Sequence, residues 1–201
     1  MEPVLRIDLD EALRSGRPVI VDLGAGPTRV PGRIAVDRVD LPHIDILADI
    51  ENGLPFLPDG CVDEIHSRSV LEHVGNFEHL LREIVRVLKP DGTAHIFVPH
   101  FSNPYGYSDY THKRFFGLYS FYYFVDPERQ LKRKVPAFYT DIRIDIHSLH
   151  LVFKSPFRFR HRAKRLAGRL FNARPWLQEL YEEMFCHLCP CDGIEVVFSP
   201  A

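Results

Sequence analysis

Apolar positions in this chain fall in short runs separated by turn residues. The runs predict strands over residues 18–23, 33–37, 44–48, 62–67 and 93–98. Between the last two, Asn76 precedes Leu80, Leu81, Ile84, Val85 and Leu88 at helical spacing. That pattern predicts a helix capped by Asn76 and ended by Lys89-Pro90-Asp91-Gly92. Near the start, Asp8-Leu9-Asp10-Glu11 reads as a capped short helix that Gly16 would stop. Residues 141–147 alternate polar and apolar, as a half-exposed strand does, and 149–153 extend them. Residues 193–198 predict a last strand, and 154–185 read as largely helical. Strands alternating with helices imply a mostly parallel sheet covered on both faces.

The first strand ends in Asp22, with Gly24 and Gly26 close behind, and the second ends in Asp37. Glycines let backbone approach a ligand closely, and an acid at the next strand tip can hold a ribose hydroxyl pair. The spacing therefore suggests a nucleoside site, although many turns contain Gly-x-Gly.

Size and charge narrow the classes. The chain has 201 residues, 45% hydrophobic, which suits one domain with a real core. Its formal net charge of −2 gives no reason to expect nucleic acid as a partner. No apolar run is long enough to span a bilayer, and no signal peptide is visible. Four cysteines do not make a disulfide framework, so a reduced, cytoplasmic protein is expected.

Several further segments occur in a recognisable order. They are Val21-Asp22-Leu23-Gly24-Ala25-Gly26-Pro27, Ala35-Val36-Asp37, Ala48-Asp49-Ile50 and Leu54-Pro55-Phe56. After them come Ser69-Val70-Leu71-Glu72-His73-Val74, the run from Glu83 to Gly92, and Thr111-His112-Lys113-Arg114-Phe115-Phe116. On these segments the chain resembles class I S-adenosylmethionine (SAM)-dependent methyltransferases of the type 11 kind, across residues 18–124. The resemblance implies a single Rossmann-like α/β domain over 1–201, with a seven-stranded, mostly parallel sheet, an antiparallel last strand and helices on both faces. Two departures stand out. The loop's third glycine is missing, with Thr28 in that region, and the stretch from Gly26 to Asp37 is too short for the usual helix. Pro27 and Pro31 oppose even a short one. Small bacterial methyltransferases that this chain resembles share the shortened connection and are often associated with sugar or cell-envelope pathways.

The resemblance implies roles residue by residue. Gly24, Ala25 and Gly26 would meet the amino acid end of SAM, Asp22 its amine, and Asp37 the ribose. Asp49 and Ile50 would frame the adenine, and Ser67 would touch SAM through main chain. S-adenosylhomocysteine would be the product. Histidine titrates near neutrality, so His112, His100 and His73, in that order, are candidates for taking the acceptor's proton. A lid around 101–135 is rich in aromatics, and Tyr105, Tyr107 and Lys113 are candidate substrate contacts.

The basic stretch 154–174 holds eight lysines and arginines and no acid, with Phe159, Ala163, Leu166 and Leu170 on one helical face. Such a segment suits an anionic membrane surface or a lipid-linked substrate, or simply a solvated face. Cys186, His187, Cys189 and Cys191 crowd together, but no second knuckle exists, so no metal is expected. The reading that results is methyl transfer to a hydroxyl of a small molecule such as a sugar or glycolipid precursor. A non-catalytic SAM-binding partner protein, an N- or C-methyltransferase and an NAD-linked oxidoreductase are its rivals.

Overall fold

The computed structural model describes residues 2–201. In chain order the elements are β1 (Val4–Leu5), α1 (Leu9–Arg14), β2 (Ile20–Leu23), β3 (Ile34–Asp37), β4 (Ile46–Leu47) and β5 (Val62–Arg68). Then follow α2 (Phe77–Val87), β6 (Leu88–Pro99), β7 (Ile144–Val152), α3 (Arg158–Phe171), α4 (Pro175–Leu180) and β8 (Gly193–Pro200). The strands form one sheet in the order β1-β4-β3-β2-β5-β6-β8-β7. Strands β4, β3, β2, β5 and β6 run parallel, and β8 lies antiparallel between β6 and β7. These seven strands are the predicted sheet. The eighth, β1, adds antiparallel to the edge of β4. Its two residues are exposed and carry no alternation from which the sequence could announce it.

Local chemistry sets the helices as the sequence indicated. Asp8 accepts a hydrogen bond from the Glu11 amide at the start of α1, and Gly16 follows the helix end at φ +71°. The Asn76 side chain caps α2 by accepting from the His79 amide, and Phe77, Leu80, Leu81, Ile84 and Val87 bury its apolar stripe. Leu88 does not continue the helix. Its backbone is extended, and residues 88–92 join β6, with an irregular register between Val62 and Glu64 of the neighbouring strand.

The two faces of the sheet differ in how closely they are covered. On one face Val21, Leu23, Ile65, Ala94, Ile96, Val98, Ile194, Val196 and Phe198 are buried in the core. On the other, Asp22, His66, Arg68, His95, Glu195 and Val197 stay half-buried or exposed and line a shallow cavity of about 640 Å³. The cause lies in the connections. No helix forms between β2 and β3 or between β3 and β4, so nothing helical is supplied to cover that face. The 24–33 connection is held instead by side chains. Arg29 donates to the His43 carbonyl and to Asp45, Arg33 pairs with Asp22 at 3.5 Å, and a His43 ring nitrogen lies 2.8 Å from the Gly26 carbonyl.

Candidate active site at the carboxyl ends of the parallel strands

Strand β2 has β3 on one side and β5 on the other, so chain order reverses there. Open α/β sheets bind ligands at such a point, beyond the carboxyl ends of the strands. Two clefts meet here, both lined by Gly24 and Ser69. The larger is the open-face cavity, which also touches Asp22, Ala25, Gly26 and Ser67. The smaller, of about 220 Å³, is lined by Asp37, Asp49, Ile50, Val70, His73 and Thr111 among others. The eight predicted cofactor residues are thus brought to one place but divided between two compartments.

The glycine loop is shaped by backbone conformation. Gly24 and Gly26 sit at φ +70° and +61°, where side-chain-bearing residues are strained. A Cβ on Gly24 would come within 2.3 Å of a Val70 methyl, whereas at Gly26 the nearest atom is 3.9 Å away. The amides of Gly24 and Ala25 both donate to the Val36 carbonyl, binding the loop to β3. Asp37 accepts from the amides of Gly26 (2.9 Å) and Val39 (2.8 Å). Each carboxylate oxygen keeps a further lone pair that a hydroxyl can use. Asp49 caps a short 3-10 turn, Ile50–Asn52, and Ile50 is buried behind it. The Ser67 hydroxyl is buried without a hydrogen-bond partner, as expected of a group that a ligand completes.

These features test whether SAM fits. A backbone cradle kept open by glycine, a strand-tip carboxylate with spare acceptor capacity and an orphaned hydroxyl are present together at the switch point, and they fit the nucleoside and amino acid ends of that molecule.

Beside the small cleft stands a group the sequence reading passed over. Glu72 is only 1% exposed, and neither of its carboxylate oxygens has a hydrogen-bond partner. Burial pushes its carboxyl up to about 7, with the Asp109 charge adding to the rise. His112 Nε2 lies 3.9 Å from Glu72 Oε1 and 3.6 Å from Asp109 Oδ2. The ring of His73 meets that of His112 edge-on, 4.8 Å between centroids, and its Nδ1 is 2.9 Å from the Thr111 hydroxyl. The loop that carries His112 is fixed because the Glu72 carbonyl accepts from the amides of Lys113 and Arg114. A buried Glu between two motif residues was the available sequence signal. Only the fold reveals that it is buried. Ser69, at φ +57°, is the other missed residue; it stands where the two clefts join.

The third candidate histidine is elsewhere. His100 is 1% exposed, with Nδ1 2.7 Å from the Ser102 hydroxyl and Nε2 2.8 Å from Glu182. Both ring nitrogens are thus engaged in tying the end of β6 to the segment after α4, and His100 lines neither cleft. Tyr105 and Tyr107 are exposed, on a 3-10 turn (Pro104–Tyr107) capped by Asn103. That turn passes the His112 ring, since a Cβ at Gly106 would lie 4.0 Å from Nδ1. Lys113 pairs with Glu51 rather than pointing free. Cys186 and Cys191 are buried, and burial pushes the Cys191 thiol up to about 12. The Tyr181 hydroxyl donates to the Cys189 carbonyl and accepts from the Cys191 amide, so that turn is organised by a tyrosine. Among the described residues no helix is long and apolar enough to cross a membrane.

A seven-strand sheet with its last strand inserted antiparallel, and a cleft at its switch point, make this a Rossmann-like α/β fold. The family described as "Methyltransferase domain" matches residues 22–96, from the acid of the glycine loop into β6. Solved structures agree on the fold. A SAM-dependent methyltransferase from Archaeoglobus fulgidus is 16% identical, covers 96% of this chain and 90% of its own, and superposes with a TM-score of 0.52. The YcgJ protein of Bacillus subtilis is 16% identical over 96% and 98% of the two chains, at 0.51. A Bacillus halodurans C-125 protein is 14% identical over 96% and 99%, at 0.56. No curated protein matches the chain.

Proposed function

We propose that this protein transfers the methyl group of SAM to a hydroxyl of a small molecule such as a sugar or glycolipid precursor. The observation that carries the reading is the Glu72–His73–His112 cluster beside the nucleoside cleft, where an acceptor proton can be removed next to the cofactor. SAM supplies a methyl group on a positively charged sulfur that leaves readily, so the chain's tasks are alignment and proton removal.

Each residue has a defined task in this scheme. Gly24, Ala25 and Gly26 receive the amino acid end with Asp22 and Ser67, Asp37 holds the ribose, and Asp49 with Ile50 frames the adenine. His112 and His73 face the acceptor oxygen, with Glu72 and Asp109 at 3.9 and 3.6 Å from His112 Nε2. Residues around 101–135 form the lid, with Tyr105 and Tyr107 on the turn nearest His112 and Lys113 at its root. The exposed Phe159 and Leu166 on basic α3 suit peripheral contact with an anionic membrane that presents a lipid-linked acceptor. A cytoplasmic location follows from the same reading.

Calorimetric titration with SAM and S-adenosylhomocysteine, with NAD as control, tests the cofactor. The first two bind and NAD does not. Asp37→Ala weakens SAM binding by about 1–3 kcal/mol, the usual cost of unpaired buried polar groups. Unchanged affinity in that variant would remove Asp37 from the ribose. His112→Ala spares SAM binding and lowers turnover about 100-fold, read as S-adenosylhomocysteine release in an acceptor screen that starts with sugars and glycolipids. Full turnover in the variant would leave alignment alone as the mechanism.

A further inference from the structure

Glu72, His73 and His112 bring one carboxylate and two imidazoles to a single point, with donor atoms all within 4.8 Å of one another. Glu72 and His73 are neighbours on one 3-10 turn, Leu71–His73, and His112 arrives from the loop that hydrogen-bonds to the Glu72 carbonyl. A buried carboxylate with no hydrogen-bond partner is costly, and proteins tolerate one chiefly where it is paired or holds a metal. The two cationic side chains that follow His112 are held elsewhere, Lys113 by Glu51 and the Arg114 guanidinium by the carbonyls of Val74 and Gly75. What faces Glu72 is a second set of donors, the imidazoles.

The geometry points to a divalent-cation site of the zinc type, formed by a Glu72 carboxylate oxygen and one ring nitrogen each from His73 and His112. This deepens the reading of the cluster as the acceptor site and rests on it, but cation binding itself needs neither SAM nor acceptor. Two imidazoles and a carboxylate suit Zn²⁺ or Co²⁺ rather than Ca²⁺ or Mg²⁺, which prefer oxygen throughout. Three protein ligands leave a position open, and His73 and Thr111 line the nucleoside cleft on that side. An acceptor hydroxyl taken there is polarised, and its pKa falls as that of metal-held water does. Its O–H bond breaks, the proton passes to water, and the oxygen's electron pair forms the new bond to the methyl carbon. The sulfur–carbon bond breaks with it, and the sulfur keeps that pair as the neutral thioether of S-adenosylhomocysteine. Asp109 accepts from the Thr111 hydroxyl at 2.6 Å and lies 3.6 Å from His112 Nε2.

A second cluster, Glu64, His66 and His95, serves as an internal control. It lies on the open sheet face, where the His66 ring is bonded to Glu64 and the His95 ring to Thr93. The experiment uses the untagged full chain, stripped with a chelator and desalted. It is titrated with Zn²⁺ by calorimetry and with Co²⁺ by visible absorption. One equivalent binds, and Glu72→Gln and His112→Ala each weaken binding by at least about tenfold, the least that perturbing a metal's ligand shell usually costs. His95→Ala and Cys189→Ser leave it unchanged. Melting temperature and SAM affinity, measured on every variant, show that each is folded. Absence of stoichiometric binding, or equal binding by Glu72→Gln and His112→Ala, overturns the site. Methyl transfer that survives complete chelation also overturns the cation's role and leaves the methyltransferase reading intact. Cation binding without SAM binding does the reverse.

Discussion

Gly24→Val abolishes measurable SAM binding, while Gly26→Ala weakens it only modestly. Both glycines adopt positive φ, and a side-chain-bearing residue held there costs about 1–2 kcal/mol. The difference lies in what the new carbon meets. At Gly24 it lies 2.3 Å from Val70 Cγ2, far inside van der Waals contact, and Val70 cannot swing away because its branched side chain is stiff at χ1. Overpacking of this kind adds about 1–3 kcal/mol. The loop must therefore move, and both clefts share Gly24, so any movement deforms the two compartments together. An affinity loss of about 100-fold or more is expected, equivalent to about 2.7 kcal/mol. At Gly26 the nearest atom stays 3.9 Å away, and only the backbone strain is felt. Calorimetry on both variants checks this, with melting curves to show that each folds. Equal, near-native affinities would mean that the loop does not cradle the cofactor.

Glu83→Ala lowers the melting temperature by about 5–12 °C, because it removes the anchor of the segment that follows Asp49 and Ile50. Glu83 accepts from Arg86 through both carboxylate oxygens, at 2.7 and 2.8 Å, and from the Leu54 amide at 2.9 Å. Arg86 in turn donates to the carbonyls of Leu54 and Leu57 at 3.0 Å and to Asp59 at 2.6 Å. One ion pair on α2 thus holds the whole turn that follows Asp49 and Ile50. Truncation leaves a partly buried guanidinium and an amide without their acceptor, for about 2–3 kcal/mol in all. The hydrogen bonds from Arg86 hold the Glu83 carboxyl below its ordinary range. A depressed folded-state value stabilises the fold above the unfolded pKa, near 4.3. That contribution is lost as pH falls through the folded-state value. The wild type and Glu83→Ala should therefore converge in stability as the medium is acidified below pH 4 or so. A gap that stays constant with pH would show that packing, not charge, carries the effect.

The clamp also explains why two separated motifs occur together. Leu54-Pro55-Phe56 and the run from Glu83 to Gly92 read in sequence as independent segments, and in the fold they are the two halves of one hydrogen-bonded joint. The same holds for Leu71-Glu72-His73 and Thr111-His112-Lys113, joined through the Glu72 carbonyl. Spacing along the chain carried the resemblance; hydrogen bonds across it show what the spacing is for.

The sequence by itself determined the elements whose signal is local. Period-two and period-3.6 apolar runs set β2, β3, β5, α2, β7 and β8 close to where they form. Positive-φ turns announced themselves as Gly24 and Gly26, and strand-tip acids as Asp22 and Asp37, because each residue type has a chemistry that suits its position. Tertiary structure alone decided what depends on distant neighbours. Strand β1 has no pattern of its own and exists through its pairing with β4. The second face of the sheet stays uncovered because two connections are too short for helices, a fact about layers and not about any one segment. His100 and His112 are the same residue type, yet one is sealed against Glu182 and the other lies against His73, which lines the small cleft. Glu72 is a surface residue by composition and an unpartnered buried carboxylate in the fold. Burial is a property of the whole packed chain, and it is burial that turns an ordinary glutamate into candidate chemistry.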